Sequence, residues 1–142
     1  MSRILGVDLG TDRTGIAVGS FGVAHPLSVL EARDEDSIVA GIARHAREQD
    51  AREIVLGLAI SLDGTEGPAA ARQRTVAAHL ETETGIPVRL WDERLTTVEA
   101  DRTLIGAGMR RKERREVVDK IAATLLLQSY LDANARPPAE GP

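Results

Sequence analysis

The amino-acid sequence predicts an α/β protein, a mixed five-stranded sheet in the order 3-2-1-4-5 with helices on both faces. Three observations lead there. Three short apolar runs crowd the first thirty residues with only tight turns between them, the pattern of an antiparallel meander. Two later apolar runs, at 53–58 and 88–91, are each reached through a helical stretch, which implies right-handed crossovers and parallel pairing with the first strand. Finally, 142 residues of which 42% are hydrophobic and 28% charged suit one globular domain with a substantial core and do not suit a disordered chain.

Each element has its own local reason. The first strand covers 4–9, with Asp8 near its end, and Gly10-Thr11-Asp12-Arg13 makes the turn. The second covers 14–19. Ser20-Phe21-Gly22 then turns into a third, Val23–Leu30, whose Pro26 cannot donate to a ladder and so places it at the sheet edge. Asp34-Glu35-Asp36-Ser37 offers an N-cap and an acidic first turn. Ile38, Val39, Ile42, Ala43 and Ala46 then recur at helical spacing to about residue 48. The run 53–58 is short and mostly apolar, as a buried parallel strand should be. After a loop at 59–67, Pro68 suits the first position of a helix and Gly85 the residue just past its end. Beyond the strand at 88–91, Thr96-Thr97-Val98-Glu99 is a capping-box sequence opening a short helix to about residue 105, with Gly106 and Gly108 ending it. A long helix follows from about 112 to 133. The expected organisation is one domain over 1–135 and a flexible tail at 136–142, where Pro137-Pro138 cannot continue a helix.

Composition removes several classes of function. There is no cysteine, which excludes disulfides, thiolate nucleophiles, zinc ribbons and iron–sulfur clusters. No apolar run approaches the roughly 18–20 residues of a membrane span, and no secretory leader is legible at the N-terminus. The expected location is the cytoplasm, with no membrane partner. The formal net charge of −4 argues against coating nucleic acid by bulk positive charge. Phe21, Trp91 and Tyr130 are the only aromatic residues, too few for the base-stacking platforms of single-strand binders. Any nucleic-acid binding must therefore read backbone and shape.

Carboxylates gather at one edge. In a sheet of this order, functional residues collect where parallel strands end at their carboxyl edge. Asp8 ends an apolar central strand, where a charge is costly to bury unless something compensates it. Asp92 and Glu93 end the fifth strand, and Asp119 precedes the apolar segment 121–127 of the last helix. Asp92 alone reads as a cap or turn residue, and Asp119 alone as one more charge on a polar helix start. Together, three or four carboxylates repel one another unless a cation joins them. Hard oxygen ligands without histidine suit Mg²⁺ or Mn²⁺, ions that can activate water and stabilise the leaving oxygen of a phosphodiester.

At this point the chain resembles the YqgF (RuvX) family, whose members are called Holliday junction resolvases and pre-16S rRNA nucleases. The resemblance rests on five segments in order. They are residues 6–18, beginning Gly6-Val7-Asp8-Leu9-Gly10-Thr11; Ala24-His25-Pro26-Leu27; Val55-Leu56-Gly57-Leu58 with Asp63-Gly64-Thr65-Glu66-Gly67; Asp92-Glu93-Arg94-Leu95-Thr96-Thr97; and Val118-Asp119-Lys120-Ile121-Ala122-Ala123. The resemblance implies a ribonuclease H-like fold and a metal-dependent nuclease. It implies Asp8, Glu93 and Asp119 as the catalytic, metal-binding acids, with Asp92 an open question. It also implies two substrates, the 5′ end of precursor 16S rRNA and branched DNA. Asp12 departs from the family, which commonly carries Lys there, and makes the first loop more acidic. Ala59 stands in place of a common Pro.

The remaining motifs are weighed the same way. The basic run Arg110, Arg111, Lys112, Glu113, Arg114, Arg115 opens the helix that carries Asp119. An isolated run of this kind usually reads as a solvated helix start. Positive charge at a helix start opposes the dipole, so stability does not account for it, and its place beside the acidic site favours a phosphate-binding role over that alternative. Asp63-Gly64-Thr65-Glu66-Gly67 reads as turn chemistry, and Trp91 as core. His25, His45 and His79 are widely spaced and receive no catalytic role. No dimerisation stripe is legible, so a monomer or weak homodimer is expected. Two other classes compete: a non-catalytic nucleic-acid-binding or ribosome-assembly factor, and an actin-like or sugar-kinase-type nucleotide binder. The second would need two lobes and a second phosphate loop, for which 142 residues leave no room.

Overall fold

The computed structural model describes residues 3–96 and 111–135, with side chains described for 3–96 and 118–135. The expected helix at 96–105, Arg110 and the expected tail lie outside the described residues, apart from Thr96. Strands β1 (Arg3–Leu9), β2 (Thr14–Ser20) and β3 (Val23–Leu30) form the antiparallel meander. Helix α1 (Glu35–Glu48) leads to β4 (Ala51–Leu58), and α2 (Pro68–Thr84) leads to β5 (Val88–Asp92). Helix α3 (Arg111–Ala133) is the last element among the described residues. The sheet order is β3-β2-β1-β4-β5, with β1–β2 and β2–β3 antiparallel and β1–β4 and β4–β5 parallel, as expected.

The ends of the elements follow local chemistry. Asp34 caps α1 by accepting a hydrogen bond from the Ser37 backbone N–H. Pro68 begins α2, and Gly85 ends it in the left-handed conformation at φ 72°, where any side chain would be strained. Strand β4 starts at Ala51, two residues earlier than the apolar run. Ala51 pairs with Arg3 across an irregularity in the ladder, which the hydropathy pattern does not show.

The two faces of the sheet are packed differently. Leu5, Val7, Leu9, Ile16, Ile54 and Leu56 face α1 and α2, where Ile38, Ile42, Val76 and Leu80 complete a core of large aliphatic side chains. Ile4, Ala17, Ala24 and Val55 face α3, meeting Ala123 and Leu127. Successive strand residues alternate between faces, so Gly6 and Asp8 lie with Ile4 on the α3 side. A Cβ on Gly6 would fall 2.7 Å from Cβ of Leu127. Helix α3 thus lies almost directly on the backbone of the sheet. Among the described residues no helix is long and apolar enough to cross a membrane.

Candidate active site at the carboxyl edge

Strand pairing fixes where the acids stand. Asp8 is paired with Gly15 of β2. Val7 aligns with Leu56 of β4, so Asp8 and Gly57 are the next positions along neighbouring parallel strands. A side chain on Gly15 would collide with the backbone carbonyl oxygen of Asp119. The missing Cβ lets α3 rest on β2 and brings Asp119 over the strand that pairs with Asp8. Gly57 does the same for Glu93. A Cβ there would come 2.7 Å from Glu93 Oε1 and 3.1 Å from its Cγ, so the Glu93 side chain lies in the space a larger residue would fill. Asp8, Glu93 and Asp119, all half-buried, therefore share one edge and one face.

The turn that carries Glu93 is fastened from three sides. Residues Glu93–Leu95 form a single 3₁₀ turn whose N-cap is Asp92. The Arg94 guanidinium donates to both Asp92 oxygens, at 3.0 and 3.2 Å from Nε and 2.8 Å from Nη2, and holds the carboxyl below its usual range. Arg94 Nη1 also reaches the Ser61 carbonyl at 3.2 Å. On the α3 side, Trp91 Nε1 donates to Ser129 Oγ, and that hydroxyl donates to the Leu95 carbonyl, both at 3.1 Å. Trp91 also packs edge-on against Tyr130, centroids 5.2 Å apart. Trp91 is thus half-buried structure, as expected. Asp92 serves as the cap and Arg94 partner.

Gln73 is a site residue that the sequence reading missed. It is 4% exposed, its Oε1 accepts the Ala59 N–H at 2.7 Å, and its Nε2 donates to Glu93 Oε1 at 3.4 Å. The strong bond to Ala59 decides which end of the amide is oxygen, so nitrogen must face the carboxylate. A signal existed: Gln73 interrupts the buried stripe Ala70, Val76, Ala77 and Leu80 of α2, and a polar residue in such a stripe needs partners.

Arg13 is the second. Its Nε donates to Asp119 Oδ2 at 2.9 Å, an ion pair with side chains 22% and 26% exposed. Its loop is held by the Gly10 N–H bonded to the Arg13 carbonyl at 2.9 Å and by Arg72 Nη1 donating to the Gly10 carbonyl at 2.7 Å. The acidity expected of Asp12 is offset by Arg33, whose Nε lies 3.1 Å from Asp12 Oδ1.

A divalent cation can be tested against this donor set. Carboxylate oxygens suit Mg²⁺ or Mn²⁺, and the glycines at 15 and 57 leave room for two of the three acids beside Asp8. Among the described residues, however, no three Asp, Glu or His side chains stand close enough together to enclose an ion. Backbone placement and ligand chemistry fit. The side chains must still turn, Asp119 away from Arg13 in particular.

Other expectations are settled locally. Asp63 accepts from the Thr65 hydroxyl at 2.6 Å and its N–H at 3.0 Å, which lower its pKa; it is turn chemistry. His45 is buried, His79 lies 2.8 Å from Glu35 Oε2, and His25 is exposed on β3. Residues 111–115 belong to α3, while their side chains lie outside the described set.

The comparisons with known proteins agree with this architecture. A family model described as RuvX, Holliday junction resolvase, matches residues 2–133. A Myxococcus xanthus protein named "Putative pre-16S rRNA nuclease" is 43% identical over 138 residues, covering 96% of this chain and 91% of the relative. One of the same name from Moorella thermoacetica is 41% identical over 132 residues, covering 92% and 94%. Among solved structures, T. thermophilus RuvC in complex with Holliday junction substrate superposes with TM-score 0.62 at 13% identity, covering 95% of this chain and 98% of that one. The fowlpox virus Holliday junction resolvase gives 0.56 at 12% identity, covering 92% and 99%. At such identities these structures establish the ribonuclease H-like fold alone.

Proposed function

The chain belongs to the RuvX family of Holliday junction resolvases, and from that premise we propose that it is a divalent-metal-dependent nuclease hydrolysing phosphodiesters in structured nucleic acid. The observation that carries the reading is the gathering of Asp8, Glu93 and Asp119 on one face of the carboxyl edge, over Gly15 and Gly57. No stability argument calls for three acids there. Asp8, Glu93 and Asp119 would hold the ion, Mg²⁺ or Mn²⁺, with Asp92 left as cap to the turn. When bound, such an ion supplies Lewis-acid polarisation of the phosphodiester and a lowered pKa for the attacking water.

The protein's own residues do the rest. Gln73 keeps Glu93 turned toward the edge, and Arg94 and Ser129 hold the turn that presents it. Cations along the same edge, and the run of Arg110, Arg111, Lys112, Arg114 and Arg115, position the strand through its phosphates, which fix register without specifying sequence. The substrate we favour is precursor 16S rRNA, with its 5′ end as the expected point of cleavage, because relatives at about 40% identity are named for a pre-16S rRNA nuclease. Branched DNA is the second reading, favoured by the family description. One chain holds all three acids, so a monomer suffices for a single cut, whereas a two-fold junction calls for a pair. The expected setting is the cytoplasm.

The test is cleavage of a panel of rRNA-leader RNA, single-stranded RNA and four-way DNA, with Mn²⁺ and with EDTA. Wild type should cut at least one structured substrate only with metal, and Asp8→Asn, Glu93→Gln and Asp119→Asn should not. Binding of the panel without metal-dependent cleavage of any member would refute the nuclease and leave a non-catalytic nucleic-acid-binding or ribosome-assembly factor.

A further inference from the structure

We propose that Arg13 exchanges Asp119 for a substrate phosphate, so that divalent metal and nucleic acid bind this edge cooperatively; the proposal rests on the nuclease reading above. The starting point is the ion pair between Arg13 Nε and Asp119 Oδ2 at 2.9 Å. It joins residues 106 apart in sequence and involves one of the three acids assigned to the metal. Both backbones are fixed. The Arg13 loop is held by its own Gly10 hydrogen bond and by Arg72, and the Asp119 carbonyl is seated on Gly15. Any rearrangement is therefore confined to the two side chains. The pair is only partly buried, with side chains 22% and 26% exposed, so a competing anion can reach the guanidinium, and a phosphate replaces the carboxylate acceptor that Arg13 gives up.

The electrostatics then link the two ligands. A cation bound by Asp119 stands next to the Arg13 charge, and the two repel. A phosphodiester oxygen pair offers a guanidinium the same bidentate acceptor geometry as a carboxylate. Moving Arg13 to phosphate removes a positive charge from the metal's carboxylate and adds a contact to the substrate. Each ligand thus lowers the cost of binding the other, and the coupling is reciprocal.

Space for the departure exists. Arg13 borders a surface groove of about 650 Å³ that also includes Arg33 and Ser37. Two of its acids are already engaged, Asp12 with Arg33 and Asp34 with the Ser37 N–H. Glu31 shares the groove and opposes a phosphate within it, which places the phosphate at the Arg13 end.

The experiment uses the full chain and two probes, Mn²⁺ and a phosphorothioate-backbone RNA hairpin that resists cleavage. Mn²⁺ affinity is measured by titration calorimetry with and without the hairpin, for wild type, Arg13→Gln, Arg13→Lys, Asp8→Asn and Asp119→Asn. For wild type the hairpin should tighten Mn²⁺ binding about 5-fold or more, the lower bound of common couplings. Without RNA, Arg13→Gln should bind Mn²⁺ more tightly than wild type, and the hairpin's enhancement should shrink toward 1-fold. Arg13→Lys, which keeps the charge but not the fork, should fall between. Thermal melting of each variant confirms that it is folded. Weaker Mn²⁺ binding by Arg13→Gln would show that Arg13 stays on Asp119 to orient it, and would overturn the exchange. An enhancement unchanged in Arg13→Gln would do so too, while weakened binding by Asp8→Asn and Asp119→Asn would leave the metal site standing. If those two variants bind Mn²⁺ as wild type does, the metal site itself fails and the exchange with it.

Discussion

Replacing Gly57 with alanine asks whether Glu93 is placed for chemistry. The new Cβ would lie 2.7 Å from Glu93 Oε1, and 3.1 Å from both Glu93 Cγ and Leu126 Cδ2. All three are flexible side-chain atoms, so β4 itself need not move. To regain ordinary contact at 3.4 Å the carboxylate must retreat by roughly 0.7 Å. Overpacking costs ~1–3 kcal/mol, and soft neighbours place this case near the lower bound. The melting temperature should fall by about 2–4 °C for each kcal/mol in a chain approaching this length. The chemical cost is larger, because misplacing a catalytic group by ~1 Å costs about 10²-fold in rate. Gly57→Ala should thus melt within a few degrees of wild type while its single-turnover rate with Mn²⁺ falls ~10–100-fold. A wild-type rate per folded molecule would refute a catalytic Glu93. Gly15→Ala is the contrast. Its Cβ meets a backbone carbonyl that cannot swing away, α3 must lift from the sheet, and the loss of stability should exceed ~3 kcal/mol, in the range reserved for severe core strain.

Three further outcomes are expected. Mn²⁺ at a hundred times its dissociation constant should stabilise the folded protein by about 2.7 kcal/mol through linkage, raising its melting temperature by several degrees, and Asp8→Asn should show much less; an equal rise in both would count against the site. Burial lowers the pKa of His45, with neighbouring Arg44 adding to the effect. The unfolded chain therefore binds the proton more readily than the folded one, and stability should decline as pH falls below about 6.5, the ordinary imidazole value; His45→Gln should flatten that part of a melting-temperature profile between pH 5 and 7, and an unchanged slope would refute the assignment. Changing Arg111, Arg114 and Arg115 together to alanine should weaken binding to every nucleic acid and flatten its salt dependence, with fewer counterions released, while turnover at saturating substrate falls much less than in Asp8→Asn; parental affinity and salt slope would reduce the run to a solvated helix start.

The parts of the fold that were legible in the sequence are those governed by local pattern. Asp34, Pro68 and Gly85 mark helix ends through chemistry confined to a few residues, and the structure uses each as expected. The strand order followed from connection rules rather than from any single residue. The edge on which Asp8, Glu93 and Asp119 stand was legible because strand ends and a helix mouth fix it. Their partners were less so. The Arg13–Asp119 pair spans 106 residues and Gln73–Glu93 spans 20, and neither distance leaves a periodic trace. Gln73 could have been found as a polar interruption of an apolar stripe. Arg13 had no such mark, since an arginine in a turn is ordinary on a protein surface. The glycines at 15 and 57 stood inside quoted motifs, but only the packing of α3 and of the Glu93 turn shows what their missing side chains make room for.

Those glycines also explain how one sheet serves two demands. The face toward α1 and α2 carries Leu, Ile and Val side chains, and the helices there stand off at the distance those side chains set. That face supplies most of the large apolar burial, and burial scales with the area removed from water. The other face cannot be built the same way. Gly6, Gly15, Ala17 and Gly19 present little or no side chain toward α3, and Gly6 and Gly19 meet Leu127 directly. Bulky residues at these positions would raise α3 off the sheet and carry Asp119 away from the strand that pairs with Asp8. The close approach forgoes apolar area on this side, and the loss is tolerable because α1 and α2 hold the opposite face. Ala122, Ala123, Leu126 and Leu127 remain buried along α3, enough to seat the helix. The stability of the domain and the placement of its acids are thus assigned to opposite faces of one sheet, and the acids can share one face of the edge because the core that supports them lies on the other side.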